Sequence, residues 1–220
     1  TGSTVYNEND KLYYTFFTGH KYELNEGDSR EMVMMATSPD FKTWTKSRTF
    51  YLRGADYGYE KNDFRDPFVF RGDDNLYHML VSAKKGGKGV LAEWTSTDMK
   101  EWNHKGVFMT YMWDRFYECP DVFKMGDWWY LVYSEQHNAI RRVQYFKGRT
   151  LDELKACTRN DAGLWPDAHE GFLDSRGLYA GKTASDGTNR YIWGWCATRS
   201  GKDNTKALEW AGNLVAHKLI

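Results

Sequence analysis

Short runs rich in β-branched and aromatic residues, each bounded by Gly, Asp or Asn, recur from one end of the chain to the other. Such runs predict strands, and the polar breaks between them predict tight turns. Leu12 to Thr18 follows a polar turn at Asn7 to Asp10, and Met32 to Thr37 follows a polar loop. The helical signal is weak, with a single turn hinted at over Leu151 to Lys155. The pattern therefore predicts an all-β fold.

The runs also repeat. Arg65-Asp66-Pro67-Phe68-Val69-Phe70, a polar turn at Arg71 to Asn75 and the run Leu76 to Ser82 return as a second copy. That copy is Glu118-Cys119-Pro120-Asp121-Val122-Phe123, a turn at Lys124 to Asp127 and Trp128 to Ser134. Pro67 and Pro120 are 53 residues apart, as are Tyr77 and Tyr130. Each copy sets a carboxylate just before its proline, and two carboxylates at equivalent points of a repeat can converge on one axis. A second pattern recurs as Ser38-Pro39-Asp40-Phe41-Lys42-Thr43-Trp44 and Ser96-Thr97-Asp98-Met99-Lys100-Glu101-Trp102. There Ser and Asp close a turn through side-chain-to-backbone bonds, and the Trp packs under the next strand. Blade-like units of about four strands fall at roughly residues 1–60, 61–112, 113–164 and 165–220, the mark of a β-propeller built as one domain. A sandwich or barrel could use the same strands but does not account for a recurring unit with a carboxylate at its start. The fourth unit is less regular and is entered by an aperiodic stretch over 161–176.

Composition narrows the partners. The 220 residues offer ample apolar material for a core. Acidic and basic residues balance at 30 each, which gives no argument for nucleic acid or an anionic membrane as a partner. No run approaches the roughly eighteen apolar residues of a membrane span. The opening Thr1-Gly2-Ser3-Thr4-Val5 reads as strand and not as a signal peptide. Three cysteines, Cys119, Cys157 and Cys196, form no disulfide framework, and Cys119 reads as a small buried filler. The histidines show no ligand spacing, so neither a metal nor another cofactor is expected. Aromatic residues make up 17% of the chain. Their faces stack on sugar rings, but they also favour strands and fill the wedge between packed sheets.

Taken together these motifs resemble glycoside hydrolase family 32, the fructan hydrolases and invertases. Phe64-Arg65-Asp66-Pro67 matches the family's Arg-Asp-Pro motif, and Tyr117-Glu118-Cys119-Pro120-Asp121 its Glu-Cys-Pro motif. Asp174, Tyr179-Ala180 and Lys182-Thr183 resemble its Asp-Tyr-Gly…Phe-Tyr-Ala-Ser-Lys-Thr stretch, with Ser175-Arg176-Gly177 in place of Tyr-Gly. Arg190 to Trp195 and Trp210 to Leu214 are similar to the strands that follow. The resemblance implies a five-bladed propeller, usually followed by a β-sandwich. The family's nucleophile lies in a Trp-Met-Asn-Asp-Pro-Asn-Gly stretch on the first blade, and residues 1–220 hold no such stretch. The four units therefore read as blades two to five, without the N-terminal blade and without the C-terminal β-sandwich.

The roles that the resemblance implies are specific. Glu118 is the acid/base, Asp66 the transition-state stabiliser, and Arg65, Asp174 and Lys182 contact a carbohydrate substrate. A retaining glycosidase acting on β-fructosyl linkages of sucrose or fructan would use these groups together with a separate nucleophile. The resemblance also implies an extracytoplasmic location. Two other readings stand beside it: a propeller that binds glycans without catalysis, and a related propeller glycosidase acting on arabinosides or xylosides.

Overall fold

The computed structural model describes residues 2–110, 116–137, 140–157, 170–174, 177–199 and 210–220, so most of the aperiodic 161–176 stretch lies outside the described residues. Four antiparallel sheets follow one another along the chain. The first holds β1 (Gly2–Asn7), β2 (Leu12–His20), β3 (Glu31–Ser38) and β4 (Thr45–Leu52). The second holds β5 (Phe64–Arg71), β6 (Tyr77–Lys85), β7 (Lys88–Ser96) and β8 (Asn103–Thr110). The third holds β9 (Glu118–Met125), β10 (Trp128–His137), β11 (Ile140–Gly148) and β12 (Glu170–Leu173). Among the described residues the fourth holds β13 (Leu178–Ser185), β14 (Arg190–Arg199) and β15 (Trp210–Leu219). In every sheet the strands lie side by side in chain order, as a blade requires. The expected helical turn is α1 (Leu151–Ala156), whose first turn is capped where Thr150 Oγ1 accepts the Glu153 N–H at 3.1 Å.

The chain divides into two compact units, residues 1–116 and 117–220. In the first unit, Tyr14, Phe16 and Val33 of the first sheet share a core with Val69, Met79, Val81 and Trp94 of the second. In the second unit, Phe123, Val132 and Val143 of the third sheet pack with Leu178 and Ile192 of the fourth.

The repeated Ser-x-Asp turn forms twice with the same bonds. Asp40 Oδ1 accepts the Lys42 and Thr43 N–H groups at 2.9 and 2.8 Å, and Asp98 Oδ1 accepts those of Lys100 and Glu101 at 2.8 and 3.1 Å. The residue after each Asp takes a positive φ, 61° at Phe41 and 64° at Met99. Their surroundings differ. Met99 is fully buried and Trp102 meets Phe16 edge-on at 5.4 Å, so this Trp packs on the neighbouring sheet, while Phe41 is 57% exposed.

Candidate functional site

The motif residues sit on β-bulges, and the same bulge is built three times. Arg65 pairs with Ser82 and Phe68 with Leu80. Glu118 pairs with Ser134 and Asp121 with Val132, while Tyr179 pairs with Trp195 and Lys182 with Trp193. In each case two residues of the first strand stand against one of the second, which bends the strand and re-aims its side chains. The first of those two residues is left-handed: Asp66 (φ 57°), Cys119 (φ 51°) and Ala180 (φ 54°). The second is Pro67, Pro120 or Gly181. A proline is tolerated there because a bulged residue has a ladder bond it need not make.

This alignment corrects the reading of the repeat. Counting 53 residues from Asp66 arrives at Cys119, and Glu118 is the counterpart of Arg65. The two carboxylates therefore stand one residue out of step. Asp66 is the left-handed residue of its bulge, while Glu118 leads the other.

In the first unit, Asp66 is 5% exposed and its N–H donates to Thr18 Oγ1 on β2 at 3.0 Å. Asp is among the residues that tolerate a positive φ, so a carboxylate can be placed here at modest strain. The neighbouring Val69 N–H donates to Ser3 Oγ at 2.8 Å, a second side-chain tie from the first sheet to the motif strand. Arg65 Nη1 donates to Glu31 Oε2 at 3.1 Å and to Asp63 Oδ1 at 3.0 Å, and its guanidinium lies 4.0 Å from the Phe116 ring centre.

In the second unit, the Tyr179 hydroxyl donates to Glu118 Oε2. Tyr179 leads the third bulge as Glu118 leads the second and Arg65 the first, so one backbone position supplies a guanidinium, a carboxylate and a phenol. The sequence motif gives Tyr179 no role of its own, because its partner Glu118 lies 61 residues away and only the structure shows that the two share a bulge position. Below Glu118 lies a charged cluster. Asp121 has no exposed surface, and its carboxylate accepts the Thr183 N–H at 2.7 Å and the Thr183 hydroxyl at 3.0 Å. Thr183 Oγ1 in turn accepts from Arg190 at 2.8 Å. Burial pushes the Asp121 carboxyl up from its ordinary value, opposed by the Lys182 charge, the Thr183 bonds and Arg190. Lys182 Nζ donates to the Pro120 carbonyl at 2.7 Å, inside the bulge. Asp174 pairs with His217 of β15 at 3.0 Å and lines an apolar groove of about 290 Å³ with Leu173, Leu178 and Ile192. Among the described residues no cluster of His, Cys, Asp and Glu is placed to hold a metal, and no helix is long and apolar enough to cross a membrane.

Residues 1–220 match the profile of the glycosyl hydrolases family 32 N-terminal domain. The chain belongs to that family. It is 30% identical over 203 residues to the insoluble β-fructofuranosidase isoenzyme CWINV2 of Arabidopsis thaliana, covering 84% of this chain and 34% of that protein. It is 28% identical over 230 residues to the sucrose-6-phosphate hydrolase of Escherichia coli, covering 98% of this chain and 45% of the relative. The family 32 chain thus spans less than half the length of these relatives. Among solved structures, the sucrose-6-phosphate hydrolase of Lactobacillus gasseri superposes with a TM-score of 0.68 at 20% identity, over 88% of this chain and 40% of that one. The fructan 1-exohydrolase IIa of Cichorium intybus gives 0.67 at 18% identity, over 94% and 42%. These likenesses assign the four sheets to the all-β propeller fold of family 32.

Proposed function

We infer that the protein carrying this family 32 chain hydrolyses β-fructosyl linkages, in sucrose or a fructan, by a retaining mechanism. Glu118 donates a proton to the leaving oxygen and later withdraws one from water, while Asp66 accepts hydrogen bonds from sugar hydroxyls that tighten as charge develops on the ring. Arg65, Asp174 and Lys182 contact the substrate. One of the three Lys182 N–H donors goes to Pro120 O, which is compatible with a second reaching a hydroxyl. The nucleophile comes from a further blade outside residues 1–220, and a C-terminal β-sandwich accompanies it.

The observation that carries this reading is the shared bulge. It gives Arg65, Asp66 and Glu118 fixed backbone positions at the start of the first strand of their sheets, and the Tyr179 phenol secures the Glu118 carboxylate. Side chains that must meet a transition state need such preorganisation. A second reading is a propeller that binds glycans without catalysis, for which the same polar positions would serve as sugar contacts.

Turnover of the whole protein on a natural fructan and on an activated aryl fructoside separates the roles. Glu118→Gln is expected to lower turnover on fructan by about 10²–10⁴-fold, and less on the aryl fructoside, whose leaving group needs little protonation. Asp66→Asn is expected to impair both substrates alike. Equal losses for Glu118→Gln on the two substrates would remove it from the acid/base role. A wild-type protein that binds fructan but hydrolyses neither substrate would favour the binding reading.

A further inference from the structure

Glu31, on β3, lies outside every motif quoted above. It is nonetheless buried, with 7% exposure, in a place where a carboxylate persists only if it is bonded. One oxygen, Oε2, accepts both the Phe64 backbone N–H and Arg65 Nη1, each at 3.1 Å. The other, Oε1, lies 3.5 Å from Nδ1 of His20, a half-exposed side chain. A single carboxylate from the first sheet thus holds the backbone one residue before the bulge and the side chain that leads it. The same Nη1 also meets Asp63 Oδ1, and the guanidinium face lies on the Phe116 ring. A planar fork held by two carboxylates at one nitrogen and stacked across one face is restricted in orientation. Asp63 cannot set that orientation alone, because its side chain is three times as exposed as that of Glu31 and is shared with Lys84 at 3.6 Å.

The geometry points to Glu31 as the positioning residue for Arg65: its buried carboxylate aims the guanidinium that leads the first motif bulge at a sugar hydroxyl. This rests on the reading of Arg65 as a substrate contact given under Proposed function. Glu31 itself touches no sugar and acts only through Arg65.

The variant that isolates this role is Glu31→Gln, which keeps a carbonyl acceptor for the Phe64 N–H and removes the charge that orders Arg65. In the whole protein its melting temperature is expected to stay within a few degrees of wild type. The KM for sucrose is expected to rise about tenfold with kcat within about threefold, because a hydroxyl contact made equally in ground and transition states is lost as uniform binding. In an Arg65→Lys background, Glu31→Gln should add little further loss, since both changes act on the same contact. An unchanged KM in Glu31→Gln overturns the proposal, and so does a full tenfold loss that persists in the Arg65→Lys background. A wild-type protein that cleaves no fructoside would defeat the proposed function instead. The Glu31–Arg65 link is then read alone from nitrogen NMR of the Arg65 guanidinium, whose rotation should be slow in wild type and faster in Glu31→Gln. Equal rotation rates in the two would overturn the link.

Discussion

The bulges at Arg65-Asp66-Pro67 and Glu118-Cys119-Pro120 have the same backbone and hold it by opposite means. In the first, the left-handed residue is Asp66, so the strained position carries the functional group, and a hydroxyl from a neighbouring strand, Thr18, accepts its N–H. In the second, the left-handed residue is the buried Cys119, the carboxylate moves back to the lead position, and an ammonium, Lys182, binds the Pro120 carbonyl. The lead residues differ accordingly: Arg65 is secured by carboxylates, whereas Glu118 receives a phenol. The difference teaches that the repeat conserves a backbone device and not a chemical group. All three copies place a polar group on the lead position, as Arg65, Glu118 and Tyr179, and the first alone places one on the left-handed position as well, Asp66. The third copy, Tyr179-Ala180-Gly181, carries no carboxylate and serves the second by holding Glu118.

The largest expected effect comes from breaking the support unique to the second bulge. Lys182→Met removes the donor to Pro120 O and one of the two positive charges that act on Asp121, leaving that fully buried carboxylate its Thr183 bonds and the Arg190 charge. Uncovering a buried charge in this way should destabilise the protein by about 3 kcal/mol in urea unfolding. A substitution that left stability unchanged and raised only the KM would make Lys182 a substrate ligand and not a prop of the bulge.

How far the sequence reaches can be judged from the same residues. The repeat that defines the first two bulges is visible because 53 residues separate them, with the same turn and the same aromatic positions. The third was found by motif and not by period, because 61 residues separate Glu118 from Tyr179 and the intervening chain carries α1 and β12. The one-residue offset between Asp66 and Glu118 can be counted in the sequence, where 53 residues from Asp66 arrive at Cys119, but which residue of each motif is bulged and left-handed shows only in the strand register and φ. Thr18, Glu31 and Tyr179 were given no role for a different reason. Their partners lie 33 to 61 residues away, and no local pattern encodes such a meeting. The Ser-x-Asp turns show the reverse. Their bonds are local and were readable, while the packing that buries Met99 and leaves Phe41 exposed was not.

A smaller effect sharpens the comparison of lead residues. Tyr179→Phe deletes the hydroxyl that donates to Glu118 and leaves the ring in its buried place, where it meets Trp195 at 5.3 Å. A hydrogen bond to a charged group has a net worth of about 1.5–3 kcal/mol when fully expressed, so kcat/KM on sucrose should fall about tenfold or somewhat more. The loss should be smaller on an activated aryl fructoside, because the phenol acts through the acid. A uniform loss on both substrates would assign Tyr179 to the sugar ring and dissolve the parallel between the three lead positions.

The smallest effect concerns the left-handed position itself. Cys119 holds a φ of 51° with a side chain that is buried and bears no functional group in the proposed mechanism. Cys119→Gly removes the steric cost of a left-handed L-residue, about 1–2 kcal/mol. Against this stand the added chain entropy of a glycine in the unfolded state, about 0.5–1 kcal/mol, and the lost contacts of one buried sulfur. The terms nearly cancel, and urea unfolding should find the variant within about 1 kcal/mol of wild type. Cys119→Val is the counterpart: a β-branched side chain at this φ is strained from both sides, and a loss of about 2 kcal/mol or more is expected. If the glycine variant instead lost as much as the valine variant, packing of the sulfur and not backbone geometry would hold the second bulge. Its equivalence to the first, where a polar Asp66 occupies the same conformation, would then be one of shape alone.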